Sequence, residues 1–112
     1  MLRTYETVFV THPDATQETF DAIDSKLKGF IKSFGGEVGF EDNWGVRNLS
    51  YPIKKQDKGK YSYMLYSARP DAIKEIEFYL KISEPVLTFL TVKVKDTVDF
   101  ENVQKPIAKD IL

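Results

Sequence analysis

At 112 residues, with 42% apolar and 13% aromatic side chains, the chain has the length and composition of one globular domain around one core, not of a disordered segment. Its 16 Lys and Arg against 17 Asp and Glu leave a net charge of −1, which excludes a generic polyanion binder and requires any nucleic-acid role to come from a local patch. The absence of cysteine removes disulfides, thiolate metal sites, iron–sulfur clusters and cysteine nucleophiles together, and one histidine, His12, supplies neither a zinc site nor a serine–histidine pair, so no cofactor and no metal is expected.

No apolar run approaches the roughly 20 residues of a membrane span, so no membrane partner is expected. Met1-Leu-Arg-Thr-Tyr-Glu6 has no signal-peptide anatomy, and a cytoplasmic location is the expectation. Arg3 to Thr11 reads as a strand, because its residues are nearly all β-branched or aromatic, and the run of apolar side chains predicts a central one. His12-Pro13-Asp14 ends it, since proline cannot donate to the ladder.

A helix is predicted from about Thr16 to Phe34, with Asp14 or Thr16 as its cap. Phe20, Ile23, Leu27, Phe30 and Phe34 recur at helical spacing and define its buried stripe, while Asp21, Asp24, Lys26, Lys28 and Lys32 form a solvated face. Gly35-Gly36 stops the helix, one of the two taking the left-handed cap. Glu37 to Ile53 reads as a second, long strand, with Val38, Phe40, Trp44 and Val46 on one face and Arg47, Leu49 and Tyr51 on the other. Gly39 and Gly45 predict bulges or bends, and Pro52 fits an edge strand or a strand end. A turn at Lys54–Gly59 leads into a third strand, Lys60 to Ala68, completing a hairpin in which Tyr61, Tyr63 and Leu65 face one way and Ser62, Met64 and Tyr66 the other.

Arg69-Pro70-Asp71 opens a second helix whose buried stripe is Ile73, Ile76 and Leu80, and Glu84-Pro85 ends it. Val86 to Lys95 is the last strand. Residues 97–112 show no clear period and are expected to form a C-terminal arm, loose or docked on a partner, beyond a domain of residues 1–96. The order strand, helix, strand, strand, helix, strand is that of the split βαβ: an α+β, ferredoxin-like sandwich with both helices on one face of a four-stranded antiparallel sheet. The right-handed crossover rule places the first and third strands in the centre and the second and fourth at the edges. The other sheet face is expected to carry no helix.

The charge is not spread evenly. Between Gly45 and Arg69 stand six basic residues, Arg47, Lys54, Lys55, Lys58, Lys60 and Arg69, and one acid, Asp57. A lysine-rich hairpin is ordinarily a solvated turn; it becomes a phosphate-contacting surface when arginine and lysine neutralise backbone charge and tyrosines such as Tyr51, Tyr61 and Tyr63 stack on bases. Tyr61, Tyr63 and Tyr66 on the sheet suggest the RNA-recognition module, but Lys60-Tyr-Ser-Tyr-Met-Leu-Tyr-Ser67 lacks its third-strand signature, and core packing is the better account of these rings. His12 reads as a polar turn residue, and Glu37, Glu41 and Asp42 as a solvated edge rather than an acid–base or metal pair. Gly35-Gly36 lacks the lysine and hydroxyl of a phosphate-binding loop.

Gly45-Val-Arg-Asn-Leu-Ser-Tyr-Pro-Ile-Lys-Lys55, followed by Gly59-Lys-Tyr61, resembles the hallmark of a bacterial ribosomal protein family, the sixth protein of the small subunit. Arg3-Thr-Tyr-Glu6 resembles the family's opening Arg-x-Tyr-Glu, and Leu80-Lys-Ile82 with the strand to Val94 its closing segment, so the likeness covers about residues 3–95. Asn48 departs from a position where the family often has a second basic residue, and the C-terminal arm is not the acidic tail of some members. The resemblance implies a non-enzymatic constituent of the small subunit that binds small-subunit ribosomal RNA in the platform, as a heterodimer with the eighteenth small-subunit ribosomal protein, and that has no small-molecule substrate. It carries Arg3, Tyr5, Arg47, Tyr51, Pro52 and Lys54 as binding residues; Lys55, Lys58 and Lys60 join them on charge alone. The competing reading is a homodimeric ferredoxin-like ligand-binding domain or small enzyme. An acyl-phosphate hydrolase, however, needs an anion loop with arginine after the first strand, where this chain has His12-Pro13-Asp14.

Overall fold

The computed structural model describes residues 2–94; the expected arm at 97–112, the domain boundary before it and the last residue of the expected fourth strand, Lys95, lie outside the described residues. The elements are β1 (Arg3–Thr11), α1 (Gln17–Ser33), β2 (Glu37–Ile53), β3 (Gln56–Ala68), α2 (Pro70–Ile82) and β4 (Val86–Lys93). All strand pairs are antiparallel and the sheet order is β2-β3-β1-β4, which is the expected ferredoxin-like topology with the first and third strands in the centre.

Of the two candidate caps, Thr16 is the one used: its hydroxyl accepts from the Thr19 backbone N–H at 3.2 Å. At the other end Gly35 takes φ +77°, its N–H donates to the Lys32 carbonyl, and the Gly36 N–H donates to Ile31, the paired bonds of a Schellman stop. Gly36 has a second reason to be glycine, since a Cβ there would run into the Ser67 carbonyl of β3. The buried stripe of α1 is Ile23, Leu27 and Ile31, with Phe20, Phe30 and Phe34 only partly buried on its flanks. Ile31, absent from the expected stripe, is fully buried: it stands four residues after Leu27, on the same side of the helix. These residues meet Tyr5, Phe9, Met64 and Tyr66 from the sheet and Ala72, Ile76 and Leu80 from α2 in the helix–sheet core.

The opposite sheet face is not bare. Val8, Val10, Tyr61, Tyr63, Leu65 and Leu87 are buried there, with Phe40, Trp44, Leu49 and Ile53 packed against them. The covering side chains among these come from β2 itself, because β2 is longer than the strand that pairs with it. The register skips one residue between Val38 and Phe40 and one between Asn43 and Gly45, and then leaves Leu49 to Pro52 opposite Asp57 alone. Each single extra residue moves every following side chain to the other face. The single-face expectation for Val38, Phe40 and Trp44 therefore fails: Val38 packs beneath the helices, Phe40 and Trp44 on the far side.

The hairpin turn is also shorter than expected. It consists of Lys54 and Lys55 alone, both at positive φ (48° and 67°), with Ile53 paired to Gln56. Gly59 lies inside β3, not in the turn. A Cβ there would overlap the Val10 side chain and press on the Thr11 carbonyl at 3.1 Å, so its role is close approach of the neighbouring strand.

Gly29 sits exposed in the middle of α1 with open space around it. Gly29→Ala should raise the unfolding free energy by about 1 kcal/mol, whereas Gly36→Ala should lower it by about 2–3 kcal/mol; urea midpoints at constant m-value measure both.

Candidate functional site

The distal half of the β2–β3 hairpin carries Arg47, Lys54, Lys55 and Lys58, and Arg47 sits on a column of rings. The bulge that makes Trp44 the extra residue is shaped by Gly45 at φ +77°, whose N–H is accepted by Asn43 Oδ1 at 2.9 Å. It lays the indole on Tyr63 (centroids 5.5 Å, 15° between planes) and on Tyr61 (6.5 Å, 22°). The Arg47 guanidinium caps this column 5.5 Å from the Trp44 ring, and its Nε donates to the Trp44 carbonyl at 3.3 Å. A cation held by a ring face and a carbonyl keeps its charge and loses little further freedom when it meets an anion.

Beneath the column the Tyr63 hydroxyl donates to Glu6 Oε2 at 2.5 Å, with both side chains buried. Burial first, and then the Glu6 carboxylate, push the phenol well above the ordinary tyrosine range, so Tyr63 stays a neutral donor. The rings expected to pack rather than to face a ligand do so: Tyr61, Tyr63 and Tyr66 are all buried.

The nine sequence-derived site residues separate into groups. Arg47, Tyr51, Pro52, Lys55 and Lys58 are exposed and share the hairpin. Asn48 pairs with Lys58, which sets that lysine beside Arg47, and Tyr51 and Pro52 stand on the four-residue excursion opposite Asp57. Lys54 belongs to the same end, but its Nζ donates to the Val86 carbonyl at 3.1 Å and so ties the hairpin tip to the start of β4. Lys60 is half-buried on the helix side, donating to the Ala15 carbonyl at 2.5 Å in the loop before α1. Arg3 is exposed opposite Ala68, nine residues along β3 from the partner of Arg47, a separation on the order of 30 Å. Tyr5 lies in the core at 7% exposure, its ring 6.0 Å from that of Tyr66.

Two further features were not read from the sequence. Trp44, the support of Arg47, reads in the sequence only as a strand residue; its position next to Gly45 and three before an arginine is the signal for its role. Glu41, grouped with a solvated acidic edge, is joined by Lys28 to Asp24 on α1, both oxygens 2.9 Å from Nζ. Burial and Asp24 push the Glu41 carboxyl above the usual range against the pull of Lys28, and Glu41 and Asp24 raise Lys28 in turn. Among the described residues no acid forms an ion pair with Arg47, Lys54, Lys55, Lys58 or Lys60, and no group of His, Asp and Glu has metal-holding geometry. Arg69 is paired with Asp71. Among the same residues no helix is long and apolar enough to cross a membrane.

A family model described as ribosomal protein S6 matches residues 4–93. The small ribosomal subunit protein bS6 of Desulfatibacillum aliphaticivorans is 34% identical over 108 residues, which are 96% of this chain and 58% of that protein. The proteins of the same name from Syntrophotalea carbinolica and from a Sulfurovum species are 38% and 39% identical, over 81% and 93% of this chain and 79% and 82% of their own lengths. The chain thus spans less than three fifths of one relative and about four fifths of the other two. Among solved structures, the 30S ribosomal protein S6 of Thermotoga maritima matches with a TM-score of 0.75 over 84% of this chain and 89% of that one, at 21% identity, which shows a shared fold.

If Arg47 is mounted on the column without supporting it, Arg47→Ala should cost under about 1 kcal/mol of stability, and Trp44→Ala, which removes the half-buried ring, about 2–3 kcal/mol. Denaturant unfolding of the two variants measures the contrast.

Proposed function

This chain belongs to the ribosomal protein S6 family, whose members are structural proteins of the small ribosomal subunit and not enzymes, and from that premise we propose that it binds small-subunit ribosomal RNA through its β2–β3 hairpin. Its place of work is the ribosome, in the cytoplasm. The reading as a homodimeric ligand-binding domain or small enzyme gives way to this one.

The observation that carries the proposal is Arg47 held on Trp44 in a hairpin whose exposed cations have no ion pair among the described residues. Arg47, Lys55 and Lys58 contact phosphates, with Lys54 at the rim. Lys60 is a bracket between β3 and the loop before α1, and Tyr5 a core ring, so neither belongs to the contact surface. Arg3, at the far end of the sheet, would make a separate contact.

A chain of net charge −1 has too little positive surface to hold a polyanion alone. The reading therefore includes a heterodimer with the eighteenth small-subunit protein on the platform, the partner supplying the remaining positive surface. Binding to the RNA is weak for the isolated chain and tight with that partner.

Affinity for small-subunit ribosomal RNA, measured with the partner present between about 50 and 200 mM salt, should fall roughly 10³-fold if the complex makes about six phosphate contacts. Arg47→Ala and Lys58→Ala should each reduce the salt slope by about one, while Lys60→Ala should leave the slope alone and lower stability. An affinity indifferent to both salt and partner would sink the reading.

A further inference from the structure

We propose that Tyr51 is a stacking platform for one unpaired RNA base, so that the segment bound by the hairpin is single-stranded or bulged, not duplex. The proposal rests on the RNA-binding reading above and specifies its ligand.

Of the six tyrosines, Tyr51 is the exposed one: 68% of its surface is free, whereas Tyr5, Tyr61, Tyr63 and Tyr66 are buried and Tyr79 is partly so. Stacking on the sheet face is closed by the same packing that holds Trp44 over Tyr61 and Tyr63. Tyr51 stands where β2 leaves the ladder, on the excursion of Leu49 to Pro52 opposite Asp57. Pro52 restricts the residue before it to extended backbone, so the ring is presented at small cost in chain entropy. Its surroundings are cationic: Arg47 is four residues away, at most about 13 Å of extended chain, and Lys55 is exposed in the turn and Lys58 on the return strand. Among the described residues the other strongly exposed aromatic, Phe78 at 61%, is instead on α2 among mixed charges, Lys74, Glu75, Glu77 and Lys81.

The chemistry of the ligand follows. A ring face offered among cations that have no ion pair among the described residues suits a π-face joined to phosphates, which is a nucleotide. In an A-form duplex the base faces are taken by their neighbours, so the ring can be used only by a base out of its stack. Arg47 and Lys58 then hold the phosphates beside it.

The test uses the full chain, wild type and with Tyr51→Phe and Tyr51→Leu, each bound to small-subunit ribosomal RNA with the other small-subunit proteins present. Leucine keeps apolar bulk and removes the π-face. Tyr51→Leu should weaken binding about 5- to 100-fold, Tyr51→Phe should retain most of what leucine loses, and ultraviolet cross-linking should join the Tyr51 peptide to an unpaired nucleotide. Equal weakening by both variants, or a cross-link only to paired nucleotides, would overturn stacking. So would wild-type affinity in Tyr51→Leu; in either case tight, salt-dependent binding by the wild type would leave the RNA-binding reading standing. Loss of association with a protein partner at unchanged RNA affinity would make Tyr51 a protein contact and overturn the proposal. A wild-type chain that binds no ribosomal RNA in any combination removes both readings together.

Discussion

The mismatch in length between β2 and β3 is the constraint from which the rest of the described structure follows. One residue is extra at Gly39, one at Trp44, and Leu49 to Pro52 share a single partner, Asp57. A pleated ladder cannot absorb surplus residues without turning side chains over and bending the strand. The first surplus sends Phe40 to the face away from the helices; the second puts Trp44 on Tyr61 and Tyr63; the third frees Tyr51 from the sheet and lets Leu49 and Ile53 fold onto the far face. A sheet with helices on one side only would otherwise leave Val8, Val10 and Leu65 in water. The hairpin's own surplus contributes to their cover, and the same bend presents the basic residues.

The cations of this nearly neutral chain fall into two kinds, and geometry separates them where charge cannot. Lys28 joins α1 to β2 through Asp24 and Glu41, Lys60 reaches the Ala15 carbonyl, and Lys54 reaches that of Val86. Each of these ammonium groups spends its hydrogen bonds on the fold. Arg47 is different: a ring and one carbonyl orient it, yet no carboxylate among the described residues neutralises it. Positioned but uncompensated charge is what phosphate recognition requires.

The element order, the edge and centre strands, Thr16 as one of two possible caps and the glycine stop of α1 were legible because each depends on local chemistry: a hydroxyl before a helix, a glycine after it, a period of two or of 3.6. The two bulges were half legible. Gly39 and Gly45 mark their places, but a glycine does not say which neighbour becomes the extra residue, so the facing of the β2 side chains does not follow from the sequence pattern. The turn escapes the sequence for a related reason. Lys54 and Lys55 take positive φ without the Asn or Gly that signals such a turn, and Gly59, which looked like a turn residue, is required by the crowding of β1 against β3. At the site, residue type and family likeness found the segment but not the direction of its side chains. That is why Tyr5 and Lys60 stood with Arg47 in the sequence and stand apart from it in three dimensions.

Trp44 is the one tryptophan in the chain, and it lies directly beneath Arg47. Indole emission responds to the charge and polarity immediately around the ring, and here a single fluorophore has a single guanidinium over its face. The protein therefore carries an optical reporter at the centre of its basic hairpin. Any anion that draws Arg47 from the stack alters that signal at its source, with no label attached and no second tryptophan to obscure it.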